Sequence, residues 1–512
     1  MYPADLPPAD PADAIEVVEQ RLVRVDEPDL PGALASSRYG SVLAEPPDLP
    51  GLRWRLEPVP EVDVFEADAA LEAIEVGPWH EAGARGQGVH VAVFDIQWNE
   101  VEYFAEELGE EAATFDCFDH RSCETPIDGL RPRSSSELGQ HGIACAELIH
   151  EIAPEAQLSL VRVSGLTSLE NGVDWAIRND VDLISMSLSF FNESFYQGRG
   201  PVNRLMDELA AAGILMVTSA GNYAEEHHWG WFEDDDLDGV HDFPDQASQA
   251  LPVYWGTGSH RVNLIWDDFQ NCGDTDLDLY VYDEDGNLVG RSREVQTPDR
   301  EDGQECQPVE RATVRADEEG WYYLVVHRAG GSPNTRFDIM ARSGEVWMGR
   351  RDRSITDPGN HPSVLTVGAV RVDGYRVNGA ESFSSVGPTH DDLPKPELAA
   401  PNGVTTAAYG ARGFFGTSAA TPIVAGALAV VMSEDPRRSA WDAAALVRDS
   451  ALLYEPTDAP HDDALGAGRV VLPHPEAAPL GCSCSRVLPM GLLLPLPWVW
   501  GRRRSAREHL SG

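Results

Sequence analysis

The sequence predicts an α/β fold: a parallel sheet with helices on both faces, interrupted by a small antiparallel β-sandwich. Three observations carry this prediction. Continuous apolar runs of strand length recur as VHVAVFD (89–95), LSLVRV (158–163), DLISMSL (182–188), GILMVTSAG (213–221) and SVLTVGAV (363–370), the pattern of strands buried on both faces. Helix-like stretches such as SLENGVDWAIRND and VNRLMDELAAAG separate them. From about 250 to 345 the period drops to two, in RVNLIWDD, DLDLYVYD, GWYYLVVHR and TRFDIMARS, with DEDGN and RAGGSPN as turns.

These textures divide the chain. Residues 1–76 are rich in Pro, Asp and Glu with short apolar runs, and read as a linker, a propeptide or at most a small marginal domain. The α/β domain occupies 77–249 and 345–475, the sandwich 250–344, and a tail 476–512. The amino terminus, MYPADLPPADPADAIEVVEQ, shows neither a basic n-region nor an apolar h-region, so no signal peptide is visible in it.

Composition bounds the function. With 85 acidic against 38 basic residues the formal charge is −47, which repels nucleic acid and anionic membrane surfaces. The 512 residues are enough for two or three domains. The seven cysteines show no zinc-site spacing. Cys117 with Cys123, and Cys272 with Cys306, lie in polar segments where a bridge would staple a loop, as suits an oxidising compartment. Cys145, in an apolar run, reads as a small buried residue rather than a nucleophile. The acidic stretches EDDDLD (233–238) and DTDLDLYVYDED (274–285) are candidate structural calcium sites, with solvated carboxylate runs as the favoured reading.

Four segments carry candidate chemistry. GTSAATPIVAGALAVVMS (416–433) places Ser418 at a helix amino terminus, where the helix dipole faces a reacting carbonyl, with Pro422 expected in the first turn. In HGIACAELIHEIAPEAQL, His141 opens an amphipathic helix. In GQGVHVAVFDIQW, Asp95 ends an apolar strand, where catalytic groups of open α/β sheets collect. MVTSAGNYAEE sets Asn222 at the end of a buried strand. Taken singly, each also fits a cap or a turn.

Together they resemble the subtilisin-like serine proteases. Gly416-Thr417-Ser418 with Ala420, Pro422 and Val424-Ala425-Gly426 is similar to that family's serine signature, and His141-Gly142 with Ala153-Pro154-Glu155-Ala156 to its histidine signature. FSSVGPTHDDLPKPELAAPNG (383–403), which holds the chain's lone lysine, Lys395, is similar to a further family stretch, with Glu397 and Asn402 substituted. Ile96-Gln97 stands where Ser/Thr-Gly is typical, Ile143 replaces a threonine, and Ser189-Phe190 replaces Gly-Gly. The resemblance implies a serine endopeptidase: Ser418 as nucleophile, His141 as base, Asp95 as its orienter and Asn222 in the oxyanion hole. It implies substrate contacts at Ser187, Leu188, Ser189, Ser219, Ala220 and Gly221, protein or peptide substrates, and no cofactor required for chemistry. The order Asp, His, Ser is the one that fold requires.

An acid-acting sedolisin would carry Glu and Asp in place of His141 and Asn222, and an esterase a Gly-x-Ser-x-Gly elbow. A catalytically inactive scaffold with the same fold is the alternative. The sandwich resembles bacterial pre-peptidase C-terminal domains. GCSCSRVLPMGLLLPLPWVWGRRRSAREHL resembles the MYXO-CTERM class of sorting tails, which implies an extracellular or cell-surface protein attached to the envelope.

Overall fold

The computed structural model describes residues 67–109, 112–117, 123, 138–191, 193–244, 248–269, 275–296, 307–453 and 461–475, with short strands before them. Those strands are β1 (Val23–Val25), β2 (Ala35–Ser37), β3 (Gly40–Leu43) and β4 (Trp54–Leu56), paired in the order β2-β3-β1-β4. The strands of this small sheet are not readable in the sequence, because three or four residues are too short to display a period. The tail 476–512, with Cys482 and Cys484, and the cysteines 272 and 306 lie outside the described residues.

Helices α1 (Ala67–Ile74) and α2 (Gly77–Glu81) lead into β5 (His90–Asp95). There follow α3 (Ala105–Leu108), β6 (Ala113–Asp116), α4 (His141–Ile152), β7 (Gln157–Arg162), α5 (Leu166–Arg178), β8 (Leu183–Met186), α6 (Pro201–Ala212) and β9 (Leu215–Ser219). After an antiparallel region the chain returns with β19 (Val364–Arg371), β20 (Leu398–Asn402), α7 (Thr417–Glu434) and α8 (Ala440–Asp449). The intervening strands are β10 (His227–Trp231), β11 (Leu251–Trp255), β12 (Gly258–Trp266), β13 (Thr275–Tyr282), β14 (Leu288–Ser292), β15 (Val309–Ala316), β16 (Gly320–Gly331), β17 (Arg336–Ala341) and β18 (Glu345–Val346).

The seven strands β20-β19-β9-β8-β5-β7-β6 form one sheet, parallel throughout. Their continuous apolar runs are explained by burial on both faces: β8 and β9 have no exposed residue. One face packs on α4 and α7, the other on α5 and α6. Gly426 lets α4 and α7 approach closely, since a Cβ there would lie 2.9 Å from that of Ile152. At 18 residues with mean hydropathy 1.3, α7 is long and apolar enough to cross a membrane, but 89% of it is buried in this core.

The antiparallel strands form two sheets, β10-β17-β12-β15 and β14-β13-β16-β11-β18, which share one hydrophobic core. The sheets begin at His227 and end at Val346, wider than the 250–344 read from the period-two pattern. The first strand, HHWGW, escapes that reading because it is short and its histidines and glycine hide the alternation.

Candidate active site

Asp95 is the last residue of β5, and His141 is the first of α4. His141 Nδ1 donates to Asp95 Oδ2 at 2.6 Å, in a setting where Asp95 is fully buried and His141 is 5% exposed. The other carboxylate oxygen accepts the backbone N–H of Ile96 at 2.8 Å and of Gln97 at 3.0 Å. These donors are main-chain groups, so the departure from Ser/Thr-Gly at 96–97 leaves the carboxylate's support in place. With its proton on Nδ1, the neutral imidazole carries its lone pair on Nε2, the form a general base needs.

Gly142 is required by close packing: a Cβ there would fall 2.7 Å from that of Asp95 and 2.8 Å from the Trp98 ring. Trp98, buried and donating to the Asp95 carbonyl at 3.0 Å, braces the loop from beneath. The sequence offered no sign of this role. The His141 ring meets Phe414 edge-on at 5.4 Å.

Ser418 is the second residue of α7, half-buried, so its N–H is among the helix-terminal donors without an intrahelical acceptor. Pro422 corrects an expectation. It stands in the second turn rather than the first, where a missing N–H frees the carbonyl four residues back, that of Ser418. That carbonyl accepts the Ser187 hydroxyl at 3.1 Å and the Cys145 thiol at 3.7 Å. The proline thereby lets α7 be fastened at Ser418 to the segment that follows β8 and to α4. Burial, reinforced by the Asp95 charge, pushes the Cys145 thiol well up, so it remains a protonated, inert group.

Asn222 is held by its acceptor end. Its Oδ1 takes the Thr417 N–H at 2.9 Å and the Thr417 hydroxyl at 3.0 Å, which fixes the amide's orientation and leaves Nδ2 as the end that can serve a ligand. Gly416, at φ 95°, makes room, since a Cβ would stand 2.8 Å from Asn222 Nδ2. Asn402 supports the same turn by accepting the Gly416 N–H at 3.3 Å.

The expected substrate contacts divide into two groups. Ser187 is buried with its hydroxyl committed to Ser418, while Leu188 and Ser189 are half-buried. Ser219 and Ala220 are buried, and Ala220 N–H donates to Val367. Gly221 donates to the Thr417 hydroxyl and accepts from Ser385. Ala220 and Gly221 thus spend these backbone groups inside the protein and do not leave them as a pairing edge.

Cys117 and Cys123 form a disulfide. Among the described residues, three clusters bring ligand atoms within 4.8 Å of one another: Asp95, His141 and Cys145; His227, Asp338 and His390; and Asp234, Asp236 and Asp242. The first is the pair above with a protonated thiol. In the second the side chains hydrogen-bond each other directly. The third joins Asp234 and Asp236 of the acidic stretch singled out in the sequence to Asp242, which lies beyond it.

A family model described as the Subtilase family matches residues 86–257 and 289–468, more than half of the chain. The chain belongs to the subtilase family. This subtilase is 25% identical over 244 residues to a thermostable alkaline protease of Halalkalibacterium halodurans, a match covering 42% of this chain and 63% of the relative. It is 29% identical over 160 residues to the minor extracellular protease Epr of Bacillus subtilis, covering 30% of this chain and 23% of that protein. The chain therefore spans less than two thirds of these relatives. The structure of the Clostridium perfringens CspB protease superposes with a TM-score of 0.53 at 17% identity, covering 79% of this subtilase and 97% of that chain, a likeness of fold.

Proposed function

We infer that this subtilase is a serine endopeptidase that cleaves proteins or peptides through an acyl-enzyme on Ser418. The observation that carries the reading is the buried 2.6 Å hydrogen bond from His141 to Asp95 at the helix that packs on α7. His141 Nε2 removes the hydroxyl proton as Ser418 Oγ bonds to the scissile carbonyl carbon. The proton then passes to the leaving amine as the C–N bond breaks, and water, activated by the same ring, hydrolyses the ester. Asp95 stabilises the imidazolium formed in each step. Asn222 Nδ2 and the Ser418 N–H stabilise the oxyanion, and the chemistry calls on no metal or cofactor.

The extracellular relative, the Cys117–Cys123 disulfide and the sorting-like tail support action outside the cell or at its surface. The test is labelling by a fluorophosphonate and digestion of casein, with the wild type and Ser418→Ala compared. Labelling and digestion by the wild type alone is the expected result. A wild type that neither labels nor digests would sink the reading, and equal labelling of both would remove Ser418 from its role.

A further inference from the structure

The two segments expected to contact substrate, 187–189 and 219–221, both hydrogen-bond the turn that carries Ser418, through the Ser187 hydroxyl to the Ser418 carbonyl and the Gly221 N–H to the Thr417 hydroxyl, and each runs on within two residues to an aromatic ring, Phe191 and Tyr223. The rings meet edge to face, with centroids 5.1 Å apart and planes at 68°. Tyr223 is pinned. Its ring lies against the Gly221 backbone, where a Cβ would come within 2.5 Å of it, and its N–H donates to Ser385 Oγ at 3.2 Å. Behind the pair stands Arg342, from the turn between β17 and β18 of the antiparallel region. Its guanidinium lies 4.5 Å from the Tyr223 centroid and 5.2 Å from that of Phe191.

The arginine's charge is answered on its own side. Glu226 lies 3.3 Å from Arg342 through Oε2, while Glu226 Oε1 accepts the Ser343 N–H at 2.9 Å. Phe190 is also committed, its N–H donating to the Asp357 carbonyl at 2.9 Å, so the segment leading to Phe191 is tied down. A pair of large rings joins the two segments expected to contact substrate, backed by a neutralised cation on an element outside the parallel sheet.

We propose that Phe191 and Tyr223, braced by Arg342, form the floor of the P1 pocket and restrict this peptidase to substrates with a small, uncharged side chain at P1. The proposal rests on the endopeptidase reading. A large P1 side chain has to displace the Tyr223 ring, which lies against Gly221 on a backbone tied to Ser385, or break the stack on Arg342. An acidic one gains little, because Glu226 already pairs the cation and would repel a second carboxylate. Arg342 is then a positioning residue, and the antiparallel region takes part in substrate selection through it.

The test measures kcat/KM on tetrapeptide substrates identical except for Ala, Phe, Glu or Arg at P1, with fluorophosphonate labelling of Ser418 on the same samples. The wild type is expected to prefer Ala over each of the others by about 100-fold, the scale on which a pocket rejects surplus carbons. Phe191→Ala and Tyr223→Ala should each raise the Phe-to-Ala ratio by about 10-fold or more, and Arg342→Met should raise it less. A wild type that labels yet prefers Phe or Arg overturns the proposal and leaves the endopeptidase reading standing. Preference for Glu overturns it by making Arg342 the reader of an anion. A wild type that neither labels nor cleaves fails at the earlier reading. The wild-type ratio needs no variant, and Phe191, half-buried, is the substitution least able to disturb folding.

Discussion

His390 donates from Nε2 to Asp338 Oδ2 at 2.9 Å, joining the loop before β20 to strand β17 of the antiparallel region. His227 donates to the same oxygen at 2.7 Å, and its Nδ1 lies 2.6 Å from the Arg350 carbonyl oxygen. A ring with an acceptor at each nitrogen is an imidazolium. Burial opposes that cation, but the Asp338 charge and these hydrogen bonds outweigh it and hold the His227 pKa above its ordinary value. Burial opposes the anion too, yet His227 and His390 bring the Asp338 carboxyl down to about 2.

The pH dependence follows from the two directions. The raised His227 contributes stability that is full below about pH 6.5 and is lost as pH rises through its folded value. The depressed Asp338 contributes stability that is full above about pH 4 and is lost as pH falls toward about 2. Urea unfolding of Asp338→Asn should show a loss of about 3–5 kcal/mol at neutral pH, since a buried cation is left without its partner. It should also show a flatter pH profile at both ends. A loss under about 1 kcal/mol would remove the cluster as the joint between the two regions.

Glu147, on α4 below His141, has the opposite sign. Burial pushes its carboxyl up to about 7, against a backbone bond from Ala408 at 3.3 Å, and its Oε1 has no hydrogen-bond partner. The folded chain holds this proton more tightly than the unfolded one. Stability therefore falls as pH rises from about 4.5 to about 7, and the loss is complete above that window. Glu147→Gln should stabilise the protein at pH 8, on the order of 2 kcal/mol, and change little at pH 4. Urea midpoints at the two pH values decide it, and equal shifts at both would refute the assignment.

What the sequence disclosed follows from the range of its signals. The parallel sheet was legible because burial on both faces writes continuous apolar runs. The placement of Asp95, His141, Ser418 and Asn222 at or just past the ends of such strands and helices was legible for the same reason, and Gly142, Gly221 and Gly416 mark positions where the packing leaves no room for a Cβ. The service of Pro422 was not legible. It depends on Ser187 and Cys145, which reach the freed Ser418 carbonyl from 231 and 273 residues away in sequence. The hold of Thr417 on the Asn222 amide and the reach of Arg342 to Tyr223 are likewise contacts between distant segments, on which periodicity is silent.

The Thr417 hold gives a graded test of the proposed oxyanion site. Asn222→Ala removes the donor and is expected to lower kcat by about 100- to 1,000-fold with little change in KM, because the donor acts on charge that develops in the transition state. Thr417→Val keeps the backbone N–H but removes the hydroxyl, one of two groups bonded to Asn222 Oδ1, and also the acceptor of the Gly221 N–H. It should lower kcat by about 10-fold, the scale of one modest hydrogen bond, and the two substitutions together should cost little more than Asn222→Ala alone. Fully multiplicative effects would mean that Thr417 acts elsewhere.

The acidic turn before β11 bears on the calcium question. Asp234 accepts the N–H groups of Asp238 at 3.1 Å and Gly239 at 3.2 Å, and Asp238 Oδ1 accepts that of Val240 at 2.8 Å. Asp242 accepts from Asp235 at 2.8 Å, and Asp234 is paired with Arg328 at 3.4 Å. These carboxylates already close their own turn by satisfying backbone donors, a task a bound cation would compete for. Thermal unfolding in EDTA and in millimolar calcium should therefore give the same midpoint. A rise of several degrees with calcium that is lost in Asp234→Asn would instead make this turn a structural metal site.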